Sequence, residues 1–489
     1  MSSLYLIIAI LIPSVCGLLA LRLKFRSNHS LHLFIEGVAI VTTITVWVLL
    51  FAVSGESQVL YEFAPGFTLR FGADGLGRLY AGLVSLMWPI VLLYAFSYME
   101  HDNRQRSFFG FYILTYGATL GVCFSANALT MFFFFEMLSF STLPLVAHHQ
   151  NHESMYAARI YAAYLFGGAT LGLIAVIVGT LYGNTGQFVL GGDLAGAYAP
   201  EWMRLIFLLG FIGFGVKAAI FPFHWWLPVA SCAPAPVTAL LHAVAVVNTG
   251  VFSIIRLTYY VFGQDLIRGS WEQVFCILLA AFTLFYTAVI AVRERHVKRR
   301  LAYSTVSNLS YMIFAVMLLT PQGLLAGTTH LVMHSVTKIT LFMCIGSFMH
   351  HTEREYLSDI NGAGKHMPWT FACYTVSALS LLGVPLLCGF VSKWRILMAG
   401  AEEGSTAALI GVGALILSAF LCAMYGLTVS VRAYFPPRGA DRFINKGRID
   451  EGGWRMIVPL CVFTAVQILL GLFPGPLLSF IAQISRGVF

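Results

Sequence analysis

"GFGVKAAIFPFHWWLPVASCAPAPVTALLHAVAVVNTG" (residues 213–250) carries one formal charge, Lys217, in a run apolar enough to lie in a lipid bilayer. A crossing takes about 20 apolar residues. A lysine near the centre of a crossing costs about 2.5 to 3.5 kcal/mol on insertion scales. The stretch therefore reads as helix buried at membrane depth, with a charge that needs a reason to be there. It also meets a helix breaker at Pro222, and irregular backbone at that depth is tolerated where it faces protein or a polar cavity.

The rest of the chain has the same character. Of 489 residues, 58% are hydrophobic and 10% are charged, against about 25% charged in a soluble domain. The formal net charge of +8 sits in short runs such as "RLKFR", "RERHVKRR" and "RGADRFINKGR" between apolar segments, a topology signal and not a nucleic-acid surface. The nine cysteines are scattered singly, without C-x-x-C spacing, so no zinc or iron–sulfur site is expected. No phosphate loop, nucleophile elbow or dinucleotide fingerprint occurs. We expect no catalytic centre, cofactor or metal on this chain. The opening "MSSLYLIIAILIPSVCGLLALRLKFR" places its positive charges after the apolar run, as a first helix does and a cleaved signal does not.

Apolar windows predict about fourteen spans, near 4–22, 32–53, 75–99, 108–125, 127–147, 157–183, 202–222, 235–260, 271–292, 300–319, 324–349, 368–398, 405–434 and 454–478. The whole chain, 1–489, reads as one all-α polytopic membrane domain. It divides into N-terminal helices (1–107), a first set (108–262), a second set (271–434) and a C-terminal helix (454–489). The basic loops all follow odd-numbered spans, including Arg22, Lys24 and Arg26, Arg104 and Arg106, Arg293 to Arg300, and Arg438, Arg442, Lys446 and Arg448. That sorting puts those loops in the cytoplasm and both termini outside. The opposite loops, "ESQVLYEFAPGFTLRFGADGLGR" and "GNTGQFVLGGDLAGAYAPEW", read as turns or a short hairpin. The seventh and twelfth spans read as broken helices, and they share an echo, Gly213-Phe214-x-x-Lys217 and Gly389-Phe390-x-x-Lys393. Matching interruptions in two halves are the trace of internal repeats.

Seven titratable residues are the clear cases of groups at membrane depth: Glu136, Lys217, His242, His330, His334, Lys338 and Lys393. Glu136 and Lys217 suit an ion pair, which is either a static packing device or one that moves a proton as it opens and closes. His330, His334 and Lys338 recur every four residues and share a helix face. That face reads as a proton wire, with a satisfied core histidine pair as its plain alternative and no third ligand to argue for metal. The histidines of "AHHQNHE" (His148, His149, His152) read as a solvated loop.

Several stretches in order resemble a known family: "DGLGRLYAGLVSLMW", "FFFFEMLSFSTLPL", the stretch quoted first, "VKRRLAYSTVSNLSYM", "HLVMHSVTKITLFMCIGS" and "GVPLLCGFVSKW". They are similar to the antiporter-like subunits of respiratory complex I, of membrane-bound nickel–iron hydrogenase and formate hydrogenlyase complexes, and of Mrp-type Na+/H+ antiporters. The resemblance implies fourteen helices with inverted repeats of helices 4–8 and 9–13 and broken helices 7 and 12. It also implies a proton path with Glu136 and Lys217 as a modulating pair, His242 as a relay toward the centre, Lys338 as a central or second-half carrier and Lys393 as the connection to the exit side. Arg159 falls where many members carry a basic residue, with a secondary role.

The chain departs from that pattern in places. Asn248 stands where many relatives place a lysine, "SKWRIL" lacks an acidic residue after Lys393, and the long lateral helix of the largest members is not expected here. The implied function is ion translocation, H+ or Na+, within a redox-driven complex of the cytoplasmic membrane of a prokaryote. Its partners would be other membrane subunits, further antiporter-like subunits and a peripheral redox arm. A subunit of a secondary Na+/H+ antiporter and a non-conducting membrane anchor are the alternatives.

Overall fold

The computed structural model describes residues 2–53, 56–194, 200–443 and 451–488, with the side chains of His242 and Val488 outside the description. The chain is helical almost throughout. α1 (Leu6–Arg22) and α2 (Asn28–Ala52) lead into an antiparallel hairpin of β1 (Gln58–Ala64) and β2 (Phe67–Phe71). Then come α3 (Gly75–Tyr98), α4 (Gln105–Cys123), α5 (Ala128–Val146), α6 (His152–Tyr182) and α7 (Trp202–Lys217). Short α8 (Trp226–Ala230) and α9 (Ala235–Ala243) precede α10 (Val246–Arg256), which widens into a π turn over Leu257–Phe262. After α11 (Gln264–Ile267) the long helices resume with α12 (Trp271–Arg293), α13 (Val297–Met317) and α14 (Pro321–Thr352). The chain closes with α15 (Ala363–His366), α16 (Pro368–Leu382), α17 (Cys388–Glu403), α18 (Thr406–Tyr434), α19 (Gly453–Leu472) and α20 (Gly475–Val488).

Local chemistry sets where helices begin. Asp74, Asn127, Asn151, Ser270, Thr320 and Ser405 each accept from a backbone N–H of the first turn they precede. These are the residue types that satisfy the free amides of a helix start. Ser27 and Ser30 form a reciprocal capping box at α2.

Ten helical segments among the described residues are long and apolar enough to cross a membrane on their own. Four expected spans fall outside that set, for two reasons. The seventh and twelfth are broken. α4 and α13 are shielded by other helices, and α13 buries every residue except Arg299. A helix with no lipid-facing side can carry the serines, threonines and asparagine of "LAYSTVSNLSYM". α14 lies at the centre, packed against α3, α9, α13, α16, α17, α19 and α20.

The connections separate into two groups by mutual contact. On one side His148 meets Asp102 at 3.0 Å, Arg299 meets Glu153 at 3.3 Å, His296 meets Glu355 at 3.2 Å, and the Gly362 N–H donates to Arg432 O. These loops follow odd-numbered spans and carry the basic runs, with Lys446 and Arg448 outside the described residues. On the other side the hairpin, residues 124–127, 187–194 and the end of α10 join through Arg70–Gln187 at 2.8 Å and Phe188–Ala126 at 2.8 Å. His148 corrects the reading of a solvated loop: it is buried, bonded to Asp102 and edge-on to Phe108.

Three boundaries differ from expectation. α7 stops at Lys217, five residues before Pro222, because Ala219 turns to φ +57 and starts an irregular segment. The eighth span is itself broken, between Ala243 and Val246. The fourteenth ends at Leu472, where "FPGP" separates it from the amphipathic α20, whose Ser485 donates to Pro321 O. The five-residue echo does not mark equivalent places: Lys217 ends the half-helix before its break, and Lys393 lies in the half-helix after its own.

Close backbone approach holds the twelfth span's break together. A Cβ on Gly389 would collide with the Ser380 carbonyl oxygen, whereas one on Gly413 meets nothing within 4 Å. Gly389→Ala should therefore lower the unfolding temperature of the detergent-purified protein, at a cost of about 1 to 3 kcal/mol or more. Gly413→Ala should leave it unchanged, and equal unfolding temperatures for the two would contradict this packing.

Candidate functional site

Each of the three membrane-depth lysines rests on a main-chain carbonyl. Lys217 Nζ donates to Phe135 O at 2.5 Å and lies 3.2 Å from the centroid of the Phe135 ring. Lys338 Nζ donates to Leu301 O at 3.0 Å and to the Ser304 hydroxyl. Lys393 Nζ donates to Leu381 O, a carbonyl freed at the end of α16, and stands 5.0 Å from the Tyr311 ring. Lys217 and Lys338 are buried and Lys393 is half-buried.

The ion pair expected between Glu136 and Lys217 is not closed. The four ion pairs found among the described residues do not include it. Successive helical residues point about 100° apart. Lys217 therefore takes the carbonyl of Phe135, while the neighbouring Glu136 side chain turns toward an apolar groove of about 580 Å³ lined by Phe63, Phe67, Phe133 and Phe140. Glu136 Oε1 is buried there without a hydrogen-bond partner.

Of the second half of the expected line, His330, His334 and Lys393 come together, whereas the Lys338 amine bonds Leu301 O and Ser304 on α13. His330 and His334 stack along α14 with ring centroids 5.7 Å apart. His330 Nδ1 and Ser392 Oγ are 2.9 Å apart, which brings the α14 face to the residue before Lys393. Tyr311 lies between them, 5.8 Å from the His330 ring and 5.0 Å from Lys393 Nζ. Arg159 stands apart as an exposed side chain on α6. The backbone of His242 lies in α9, while its side chain is outside the described residues.

Asn248 is the joint between the two halves. Its Nδ2 donates to Ala243 O at 2.6 Å, a carbonyl left free by the break in the eighth span, and to Ser335 Oγ on α14 at 2.7 Å. Tyr80 OH serves the next free carbonyl, Val244 O, at 2.6 Å. Asn248 Oδ1 is itself buried without a hydrogen-bond partner among the described residues. A buried polar atom is costly unless something bonds it, and water can do so.

One pair escaped the sequence reading. Arg256, at the end of α10, holds Asp74 with both Nη atoms at 2.5 Å, and its guanidinium lies 4.5 Å from the Tyr260 ring and 4.7 Å from that of Phe188. The signal was present: an arginine inside "VFSIIRLTYYVF" is a membrane-depth charge as much as Lys217 is.

Residues 125–420 match the profile of a family described as "NADH:quinone oxidoreductase/Mrp antiporter, TM". The chain is 28% identical over 509 aligned positions to a Na(+)/H(+) antiporter subunit A1 of Staphylococcus aureus, covering 97% of this chain and 62% of that protein. This chain thus spans under two thirds of that relative's length. It is 29% identical over 451 positions to NADH-quinone oxidoreductase subunit N of Desulforudis audaxviator, covering 88% of each. Its fold is similar to that of a chain in the membrane-bound sulfane sulfur reductase, an archaeal respiratory membrane complex. That likeness has a TM-score of 0.85 at 23% identity and covers 99% of this chain and 97% of the other.

Asn248→Ala removes the donor to the Ala243 carbonyl and the Ser335 hydroxyl, both buried. The expected cost is about 1 to 3 kcal/mol, the range for an orphaned buried polar group, read as a lower unfolding temperature in detergent. Hydrogen exchange at residues 244–249 should quicken in the same variant, and unchanged exchange there would contradict the role of Asn248 as the joint.

Proposed function

The chain belongs to the NADH:quinone oxidoreductase/Mrp antiporter transmembrane family, and from that premise we propose that it is the proton-translocating, antiporter-like subunit of a multi-subunit energy-converting membrane complex. The observation that carries the reading is the set of three membrane-depth lysines, each donating to a backbone carbonyl and none ion-paired among the described residues. A structural ion pair would bury two opposite charges together. A lysine on a neutral carbonyl, in contrast, is an isolated station, able to exchange a proton without tearing a salt bridge apart.

In this reading Glu136, Lys217, His242, His330, His334, Lys338 and Lys393 form the translocation line, with Asn248 as its uncharged joint and Arg159 in a secondary role. Glu136 acts by swinging between its apolar groove and Lys217, so that closing the pair alters the charge felt by the rest of the line. His330 passes the proton toward Lys393 by way of Ser392 and Tyr311. The driving force comes from partners: other membrane subunits, further antiporter-like subunits and a peripheral redox arm. The chain itself would bind no cofactor and contain no redox centre. It would reside in the cytoplasmic membrane of a prokaryote, basic loops inward and termini outward.

The similarity to a Na(+)/H(+) antiporter subunit over 97% of this chain favours a second reading, in which the same line serves an antiporter driven by a counter-ion gradient. Purifying the complex and identifying its subunits separates the two, since an oxidoreductase arm supports the first and small membrane proteins alone support the second.

Lys217→Ala should leave the complex assembled while cutting pH-gradient formation in membrane vesicles by about tenfold or more, about 1.4 kcal/mol of barrier. Lys338→Ala should do the same. If both variants impair assembly while each remaining complex translocates at the native rate, the chain is an anchor and the reading fails.

A further inference from the structure

The polar stripe that leaves the break in the eighth span does not lead toward Lys393. Thr249, Ser253 and Arg256 are spaced four and three apart on α10 and share one face. Thr249 Oγ1 lies 3.1 Å from Tyr80 OH, the group bonded to the free Val244 carbonyl at the break. Ser253 Oγ, fully buried, has no hydrogen-bond partner. Arg256 follows, bonded to Asp74, with its own Nε buried and unpartnered. Thr249 to Arg256 is a rise of about 10 Å, from the joint at Asn248 to the hairpin side of the molecule.

Asp74 then opens onto cavities. One of about 500 Å³ is lined by Asp74, Arg256, Glu56, Ser57, Arg70 and Gln187, and Arg70 Nε is another buried donor without a partner there. A second, of about 210 Å³, joins Asp74 to Tyr260 and to Gln483 of α20. The cavity beside Lys393, about 420 Å³, is lined instead by apolar groups including Leu382, Phe390, Trp394 and Phe420, and Phe420 is 70% exposed on the outer surface of the bundle. Charged and polar walls suit water and protons, whereas that second setting suits an acyl chain.

We infer that Thr249, Ser253 and the Arg256–Asp74 pair form the proton's route between the break in the eighth span and the hairpin-side cavity, with Asp74 as the terminal acceptor. The inference rests on the proposed translocation function and adds where the path leaves this chain. Arg256 acts as the gate: while it grips both oxygens of Asp74 the carboxylate is occupied, and a proton on Asp74 releases the guanidinium toward Glu56 and Gln187 across the cavity. The groups facing Asp74 are Arg256 and Tyr260 from α10 and its π turn, Arg78 on α3 itself, Arg70 from β2, and Glu56.

A purely structural role, fastening the start of α3 to α10, predicts different behaviour. In Asp74→Asn/Arg256→Gln the pair becomes neutral and can still hydrogen-bond, and Asn keeps the cap on the Gly77 amide. The double variant should assemble yet form a pH gradient about tenfold more slowly per complex. In a separate variant, Ser253→Cys, a membrane-impermeant methanethiosulfonate added from the hairpin side should label the new thiol above the background of the unsubstituted complex. Native-rate translocation by the double variant overturns the route, and so does absence of labelling at Cys introduced at 253. If the double variant does not assemble, labelling alone decides. Loss in Lys217→Ala with retention in the double variant sinks only this route, whereas retention in both sinks the translocation reading itself.

Discussion

Every backbone carbonyl and amide in the hydrocarbon layer needs a partner inside the protein, and this fold breaks helices there three times. After Lys217, Trp226 Nε1 reaches back to Val216 O at 2.8 Å. After Ala243, Asn248 and Tyr80 take the carbonyls of Ala243 and Val244. After Leu382, Lys393 and the Cys422 thiol donate to Leu381 O, and Ser380 Oγ accepts from the Gly389 amide. The side chains that repair the breaks include those the function draws on. Polar chemistry at membrane depth and irregular backbone are thus one feature, since each supplies what the other lacks.

The lysines extend this logic to unbroken helices. Lys217 and Lys338 donate to carbonyls of α5 and α13 that already serve their own helices. A carbonyl has a second lone pair to offer, and a ring face adds a further weak attraction for Lys217. None of this matches a carboxylate in strength, and weak solvation of a buried charge is what separates a station from a structural brace. The one tight pair at this depth among the described residues, Arg256 with Asp74, has both oxygens and both Nη atoms engaged and three rings around the guanidinium. Its geometry resembles a latch, and its position beside a polar cavity gives a latch something to close.

The long spans were legible because about 20 consecutive apolar residues have few alternatives. The ends of α3, α5 and α12 lie within two residues of the expected limits for the same reason. The broken twelfth span was legible from its excess length. The break in the eighth was not: "HAVAVVNT" contains neither Pro nor Gly, and the groups that stabilise the opening come from Tyr80 and Ser335, remote in sequence. The open state of Glu136 and Lys217 was equally hidden, since opposite charges at matching depth say nothing of which way each side chain turns. Arg256 could have been found, as an arginine in an apolar run, but its place near the predicted end of a span made it resemble an interfacial residue.

Asn248 changes the electrostatics of the centre. A lysine there, as the resemblance to relatives leads one to expect, would set another ammonium against Ser335, one residue from His334 and three from Lys338 on α14. Buried like charges raise the energy of every neighbour that carries one. An amide holds the same two acceptors, Ala243 O and Ser335 Oγ, with no charge at all. It can neither bind nor release a proton, so transfer past this point has to use hydroxyls and water. The hydroxyls run in two directions from it, through Ser335 to the α14 face and through Thr249 and Ser253 toward Arg256. Replacing a cation by an amide thus turns a charged relay into a junction, and it leaves the choice of direction to the charges at either end.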